Sequence, residues 1–229
     1  LTSDKRQTTN DKRQTTNDER RATDNMSRYF IYFQYNGAGY HGWQRQPNGS
    51  SVQETLEDAM STLMRTTIAL TGAGRTDAGV HARFMTAHFD TDILFDAEHV
   101  VKRLNVYLPA DIAIFKIEQV ANDLHARFDA TSRTYQYFVH THKDAFIKDQ
   151  SLQVTPTLRF DLMNDAGQAL VNYIDFTSFS KLHTDVKTNN CTITHAQWTQ
   201  IDEHKWVFTI TANRFLRNMV RAIVGTLLQ

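Results

Sequence analysis

TGAGRTDAGVHA, residues 71–82, places three glycines, Arg75, Asp77 and His81 between two runs that read as strands, residues 67–71 before it and residues 82–91 (ARFMTAHFDT) after it. Gly-rich segments between strands make turns, because glycine reaches backbone conformations closed to other residues. This one is not a phosphate cradle. Its spacing fits neither the P-loop nor the dinucleotide fingerprint, no helix start follows it, and a carboxylate at Asp77 would repel phosphate. What remains is a strand-supported loop that displays a guanidinium and a carboxylate two residues apart.

Outward from the loop the pattern is regular. Residues 29–35 (YFIYFQY) are rich in aromatic and β-branched side chains, as a strand is, and GAGYHG follows as a turn. Ser51 and Glu54 have capping-box spacing, and Val52, Leu56, Ala59, Met60, Leu63 and Met64 recur on one helical face. Residues 97–107 carry Val100, Val101, Leu104 and Tyr107 at helical spacing and stop before Pro109, after which residues 112–120 are strand-like. The first half therefore reads βαββαβ. The second half repeats the series with a strand at 132–141 (SRTYQYFVHT), a helix at 162–174, strands at 192–200 and 206–212, and a helix starting near Arg214. In that last helix Phe215, Leu216, Met219, Val220, Ile223, Val224 and Leu227 form one stripe, with Arg214, Arg217 and Arg221 on the opposite face. The order βαββα lacks a closing strand, so the expectation is a C-terminal half cut short at its end. The fold class expected is α+β, with two ferredoxin-like halves, residues 26–130 and 131–229, whose sheets are largely antiparallel and carry helices on one face.

The first 25 residues contain DKRQTTN twice and then DERRATD. A coiled coil needs two apolar positions per heptad, and this repeat has none, so the segment is expected to be a disordered extension. Lys+Arg and Asp+Glu are both 25, and total charge points to no partner. A single cysteine, Cys191, excludes an internal disulfide, and there is no signal-peptide pattern or apolar run of membrane-spanning length. A soluble, cytoplasmic protein is the expectation.

The segment at 71–82 resembles the central motif of the bacterial tRNA pseudouridine synthases of the TruA type. Residues 35–60 (YNGAGYHGWQRQPNGSSVQETLEDAM), 125–139 (HARFDATSRTYQYFV), 175–181 (DFTSFSK) and 212–228 (ANRFLRNMVRAIVGTLL) look like further blocks of that family, in family order. The resemblance implies the pseudouridine synthase fold, with two similar α+β halves flanking an RNA-binding cleft. It also implies a reaction in which the bond from uracil nitrogen 1 to ribose breaks, the base turns, and carbon 5 takes its place. One carboxylate acting as nucleophile or base suffices for this, and no cofactor or metal is needed.

By resemblance the carboxylate is Asp77, and Arg75 fills the stack that the extruded nucleotide vacates. Tyr135 stacks on the target uracil, and Arg221 pairs with Asp77 and keeps it ionised. Lys102, Arg103, Arg127, Arg133 and Lys181 are candidate phosphate contacts. The implied partners are tRNA, met at its anticodon arm, and a second copy in a homodimer. His81 reads as a turn or RNA contact rather than a catalyst, and Tyr137 as core. His140 and His142 have no third ligand at metal spacing beside them. Two alternatives are a truncated, inactive RNA-binding protein of the same fold and an aspartic protease suggested by Asp77-Ala78-Gly79. The second fails because such proteases need Thr or Ser after the aspartate and a second aspartate from a symmetric partner.

Overall fold

The computed structural model describes residues 26–147, 149–154, 158–180 and 188–229. The N-terminal repeat and Lys181 lie outside the described residues. The chain divides into two compact units, Leu1–Asp129 and Ala130–Gln229. Each is a mixed α+β assembly around its own four-stranded sheet. Among the described residues no helix is long and apolar enough to cross a membrane.

The first unit runs β1 (Ser27–Tyr35), α1 (Val52–Met64), β2 (Thr71–Gly72), β3 (Ala82–Thr91), α2 (Ala97–Tyr107) and β4 (Ile112–Val120). Its sheet order is β2-β3-β1-β4 with every pairing antiparallel. Alternation along β1 and β3 sends Ile31, Phe33, Met85, Ala87 and Phe89 to the helix-covered face, where they bury against Leu56, Met60 and Leu104. Burying one such side chain contributes about 1.5–3 kcal/mol. The Ser51 hydroxyl caps α1 by accepting from the Glu54 backbone N–H at 3.2 Å. The Glu54 carboxylate does not return to the cap residue in a reciprocal bond; it pairs with Arg45 at 3.3 Å.

Residues 67–70 correct the expected strand, which shrinks to Thr71–Gly72. The reason is that side chains of α1 take over their backbone groups. Ser61 Oγ accepts from Ile68 N at 2.9 Å, Glu57 Oε1 accepts from Leu70 N at 2.9 Å, and Gln53 Nε2 donates to Leu70 O at 2.9 Å. With these groups satisfied, Ile68 and Leu70 still reach the core.

The second unit runs β5 (Arg133–His140), β6 (Leu152–Gln153), α3 (Phe160–Ala169), β7 (Ile193–Asp202), β8 (Lys205–Ala212) and α4 (Met219–Leu227). Its order is β6-β5-β8-β7. The fourth strand, absent from the expected series, is the two-residue β6, parallel to the end of β5. The buried His140 belongs to this corner, with its Nδ1 2.8 Å from Ser151 Oγ. The helix expected at 162–174 starts earlier and passes into a 3₁₀ turn, Leu170–Asn172.

The helix expected from Arg214 begins only at Met219, because Asn218 takes a left-handed φ of 67°. Arg214 and Arg217 therefore lie on the lead-in turn rather than on one helical face with Arg221. Leu216 still enters the core from that turn, which is why the apolar stripe read as a longer helix. Cys191 is buried, and burial pushes its thiol pKa up.

The two units share one device. The Asn105 amide of α2 spans Ile114, accepting from its N–H and donating to its carbonyl, both at 2.8 Å. In the second unit Asn164 of α3 does the same to Trp198, at 2.7 and 3.2 Å. In each case a side-chain amide imitates a strand partner and ties a helix to a strand.

Candidate active site

After β2 pairs with β3 at Thr71↔His88 and Gly72↔Ala87, Ala73 N still donates to Thr86 O at 2.8 Å, and then the chain leaves the sheet. Gly72 is required here because the Trp43 indole lies on it; a Cβ would come within 2.6 Å of the ring. Arg75 and Asp77 are both exposed on the excursion that follows. Asp77 opens a tight turn that Val80 N closes on Asp77 O at 3.2 Å, with Gly79 supplying the positive φ of 76°.

The segment after β1 holds this loop along its length. Asn36 Oδ1 caps the 3₁₀ turn Gly37–Gly39, and the backbone from Gly37 to Trp43 lies against the loop. Trp43 N donates to Thr76 O at 3.2 Å, and Gly79 N donates to Tyr40 O at 3.2 Å. Gly37 N donates to His81 Nδ1 at 3.1 Å, which leaves the ring proton of a neutral imidazole on Nε2. The Tyr35 hydroxyl lies 2.9 Å from Thr76 Oγ1. Gly37 and Gly42 permit the contact: a Cβ on the first would stand 2.0 Å from Val80 O, and on the second 2.4 Å from Thr76 O. Tyr40 is fixed by donating to Asp111 Oδ1 at 2.8 Å, and burial, reinforced by that carboxylate, raises its phenol pKa to about 12. It is a structural donor.

Arg75 and Asp77 thus share one pinned loop of the first unit. Tyr135 and Arg221 belong to the second. Tyr135 is half-buried on β5, its ring edge-on to Phe215 at 5.0 Å, and like Tyr137 it packs against that unit's core. Arg221 is exposed on the first turn of α4. Among the candidate phosphate contacts, Lys102, Arg103 and Arg127 are exposed, whereas Arg133 donates to the carbonyls of Ala130 at 3.4 Å and Asn213 at 2.9 Å. His81 is a tie within the loop. Among the described residues no group of three His, Cys, Asp or Glu side chains is placed to hold a metal ion.

The residues that shape this loop, Tyr35, Gly37, Tyr40, Gly42 and Trp43, carried no role in the sequence reading. Their signal was the YNGAGYHGW block itself, with three glycines and three aromatic residues in nine positions. Chemically, the arrangement presents one carboxylate to solvent on a backbone held by hydrogen bonds on both sides. Such a group can act as nucleophile or base without a cofactor.

A family model described as tRNA pseudouridine synthase matches residues 31–129 and 167–229. The tRNA pseudouridine synthase A of Bacteroides thetaiotaomicron is 58% identical over 206 residues, covering 89% of this chain and 77% of the relative. That of Parabacteroides distasonis is 58% identical over 205 residues, covering 89% and 81%. A more distant relative of the same name, from Listeria monocytogenes serotype 4a, is 36% identical over 206 residues, covering 89% and 83%.

Proposed function

This chain belongs to the tRNA pseudouridine synthase family and is an isomerase that makes pseudouridine in tRNA, and from that premise we propose that Asp77 is the carboxylate that attacks or deprotonates the target nucleotide. The observation that carries the assignment is the exposed Asp77 at the head of a turn whose neighbours on both sides are tied to the 35–43 segment. The substrate site is a uridine in the anticodon arm. The reaction breaks the N1–ribose bond and forms the C5–ribose bond, with the C5 proton leaving and N1 gaining one, so atoms and charge balance without a redox partner.

Arg75 takes the place of the extruded nucleotide, Tyr135 stacks on the freed uracil, and Arg221 serves as the cation for Asp77. Lys102, Arg103, Arg127 and Lys181 meet phosphates; Arg133, already engaged with two carbonyls, contributes chiefly to the start of β5. These roles rest on the family pattern, and the compartment that goes with a tRNA substrate is the cytoplasm. Tritium release from tRNA labelled at uridine carbon 5 tests the central assignment. Asp77→Asn keeps size and hydrogen bonding but loses nucleophilicity, so turnover should disappear while tRNA affinity stays within a few-fold. Turnover near the parent rate would refute it, and mapping of the product tRNA checks the anticodon arm.

The second partner in this reading is another copy of the chain. Exposed rings on the helix-free face of the first sheet support it. Phe84 and Phe115, 65% and 47% exposed, stack at 6.2 Å, and Tyr32 adjoins Phe84 at 5.8 Å. The charges on that face are paired internally, Arg28 with Asp90, and Lys116 with Glu118, which also accepts from Tyr32. An uncharged aromatic centre of this kind suits a protein partner better than a polyanion. Sedimentation should show a dimer that Phe84→Glu dissociates; a monomeric parent would remove the dimer from the reading.

A further inference from the structure

We propose that Tyr35 is a positioning residue for the reaction, acting on Asp77 through the hydroxyl of Thr76; the inference rests on the reading of Asp77 as the catalytic carboxylate. Tyr35 is the last residue of β1 and is 3% exposed, its ring packed 6.2 Å from Phe33 in the core. Its hydroxyl crosses to the loop and lies 2.9 Å from Thr76 Oγ1, with Met85 Sδ at 3.5 Å on its other side. Sulfur is a weak acceptor, so of these two contacts the one to Thr76 is the stronger. A tyrosine here costs the desolvation of a hydroxyl that phenylalanine would avoid, and that hydroxyl reaches the residue preceding Asp77.

The bond matters because of what else holds Thr76. Its carbonyl accepts from Trp43 N at 3.2 Å, through the close approach that Gly42 allows. With the carbonyl fixed, the planar peptide from Thr76 to Asp77 is fixed. With Oγ1 also fixed, the β-branched side chain, stiff about χ1, fixes the Cα–Cβ direction of Thr76. Together the two bonds set ψ of Thr76, the rotation that relates its Cα–Cβ bond to the following peptide, and hence the position from which the Asp77 side chain departs. Elsewhere the loop carries Gly72, Gly74 and Gly79, which restrict backbone rotation least. Without the hydroxyl bridge, Thr76 can rotate about its one remaining tie, and a carboxylate that forms or directs a covalent step tolerates little displacement.

The side chains of Tyr35 and Thr76 should therefore act as one unit on the chemical step and scarcely touch RNA affinity. The test is a double-mutant cycle on the full chain with Tyr35→Phe, Thr76→Val and the pair, together with Thr76→Ser and Asp77→Asn. Readouts are single-turnover tritium release, KM for tRNA and the thermal midpoint. Each single change should lower kcat about tenfold with KM within about twofold, and the pair should be no worse than the weaker single variant, the mark of a shared interaction. Thr76→Ser, which keeps the oxygen but loses the branching that stiffens χ1, should fall between the parent and Thr76→Val. Parent-like kcat in Tyr35→Phe, multiplicative losses in the pair, or a Thr76→Ser as slow as Thr76→Val would each overturn the inference. Activity in Asp77→Asn would instead overturn the assignment beneath it, so the two failures are told apart.

Discussion

Replacing Gly42 by alanine should reduce turnover about a hundredfold while leaving tRNA affinity nearly intact. Gly42 has φ of +97°, a conformation that strains any L side chain by roughly 1–2 kcal/mol. The larger effect is geometric. The new Cβ would stand 2.4 Å from Thr76 O, where ordinary contact begins at 3.4 Å, so the carbonyl beside Asp77 must retreat by about 1 Å. That retreat works against the 3.2 Å bond from Trp43 N and carries the peptide of Asp77 with it. Misplacing a reacting group by about 1 Å can cost on the order of 100-fold in rate. Strain of the stated size should also lower the thermal midpoint by about 2–8 °C for a chain of this length. Gly39→Ala is the matched control in the same segment, since its Cβ would meet nothing within 4 Å. Single-turnover tritium release, tRNA binding and a melting curve read the three quantities. A Gly42→Ala protein with parent kcat and parent midpoint would show that the close approach positions nothing.

Glu57→Leu should destabilise the first unit by about 1–3 kcal/mol, because Leu70 N and Gln53 Nε2 both donate to the buried Glu57 carboxylate and lose their acceptor; calorimetry showing an unchanged midpoint would contradict this. Arg28 donates to both oxygens of Asp90, at 2.7 and 2.8 Å, and holds that carboxyl below its usual pKa. A depressed carboxylate contributes stability in full above its unfolded value of 3.8 and loses it as pH falls through the folded value, so Asp90→Asn should flatten the acid limb of a midpoint-versus-pH curve in that window. His88, which acts on the charge of Asp90 and is acted on by it, loses its contribution in a higher window. Burial lowers its pKa from 6.5, so its contribution is complete above that pH and already declines from there downward.

Where side-chain periodicity alone decides structure, the sequence was read to the residue. Residues 82–91, 97–107 and 112–120 carry their elements at the expected bounds, because alternation or helical spacing ends in each case at a residue that stops it, such as Asp96 before α2 and Pro109 after it. One misreading occurs where backbone hydrogen bonds go to side chains distant in sequence, and two where the chain turns or a strand is very short. Residues 67–70 have strand composition and no strand, since Glu57, Ser61 and Gln53 bond their backbone. Residues 214–218 continue an apolar stripe and yet are not helical, since a hydrophobic pattern records burial and not the left-handed turn at Asn218. The two-residue β6 is too short for any periodicity to register.

The candidate site is legible in the same uneven way. Asp77 and Arg75 stand in a segment whose composition marks it, but the residues that hold this loop lie some forty positions earlier and look like an ordinary turn after a strand. The physical reason is that glycine has two opposite uses. At Gly79 it supplies a turn dihedral, and an added Cβ would meet nothing within 4 Å; at Gly37 and Gly42 its missing side chain lets two backbones touch. Both look alike in a sequence, and only the contact partner separates them. A loop with glycines of the first kind alone would be loose. Here those of the second kind bring Thr76, Val80 and His81 within hydrogen-bonding or contact distance of the 35–43 segment, so the glycine-rich loop is held from outside. Substitutions in YNGAGYHGW that leave the fold intact should consequently read out on kcat before they read out on RNA affinity, with Tyr35 and Gly42 first among them.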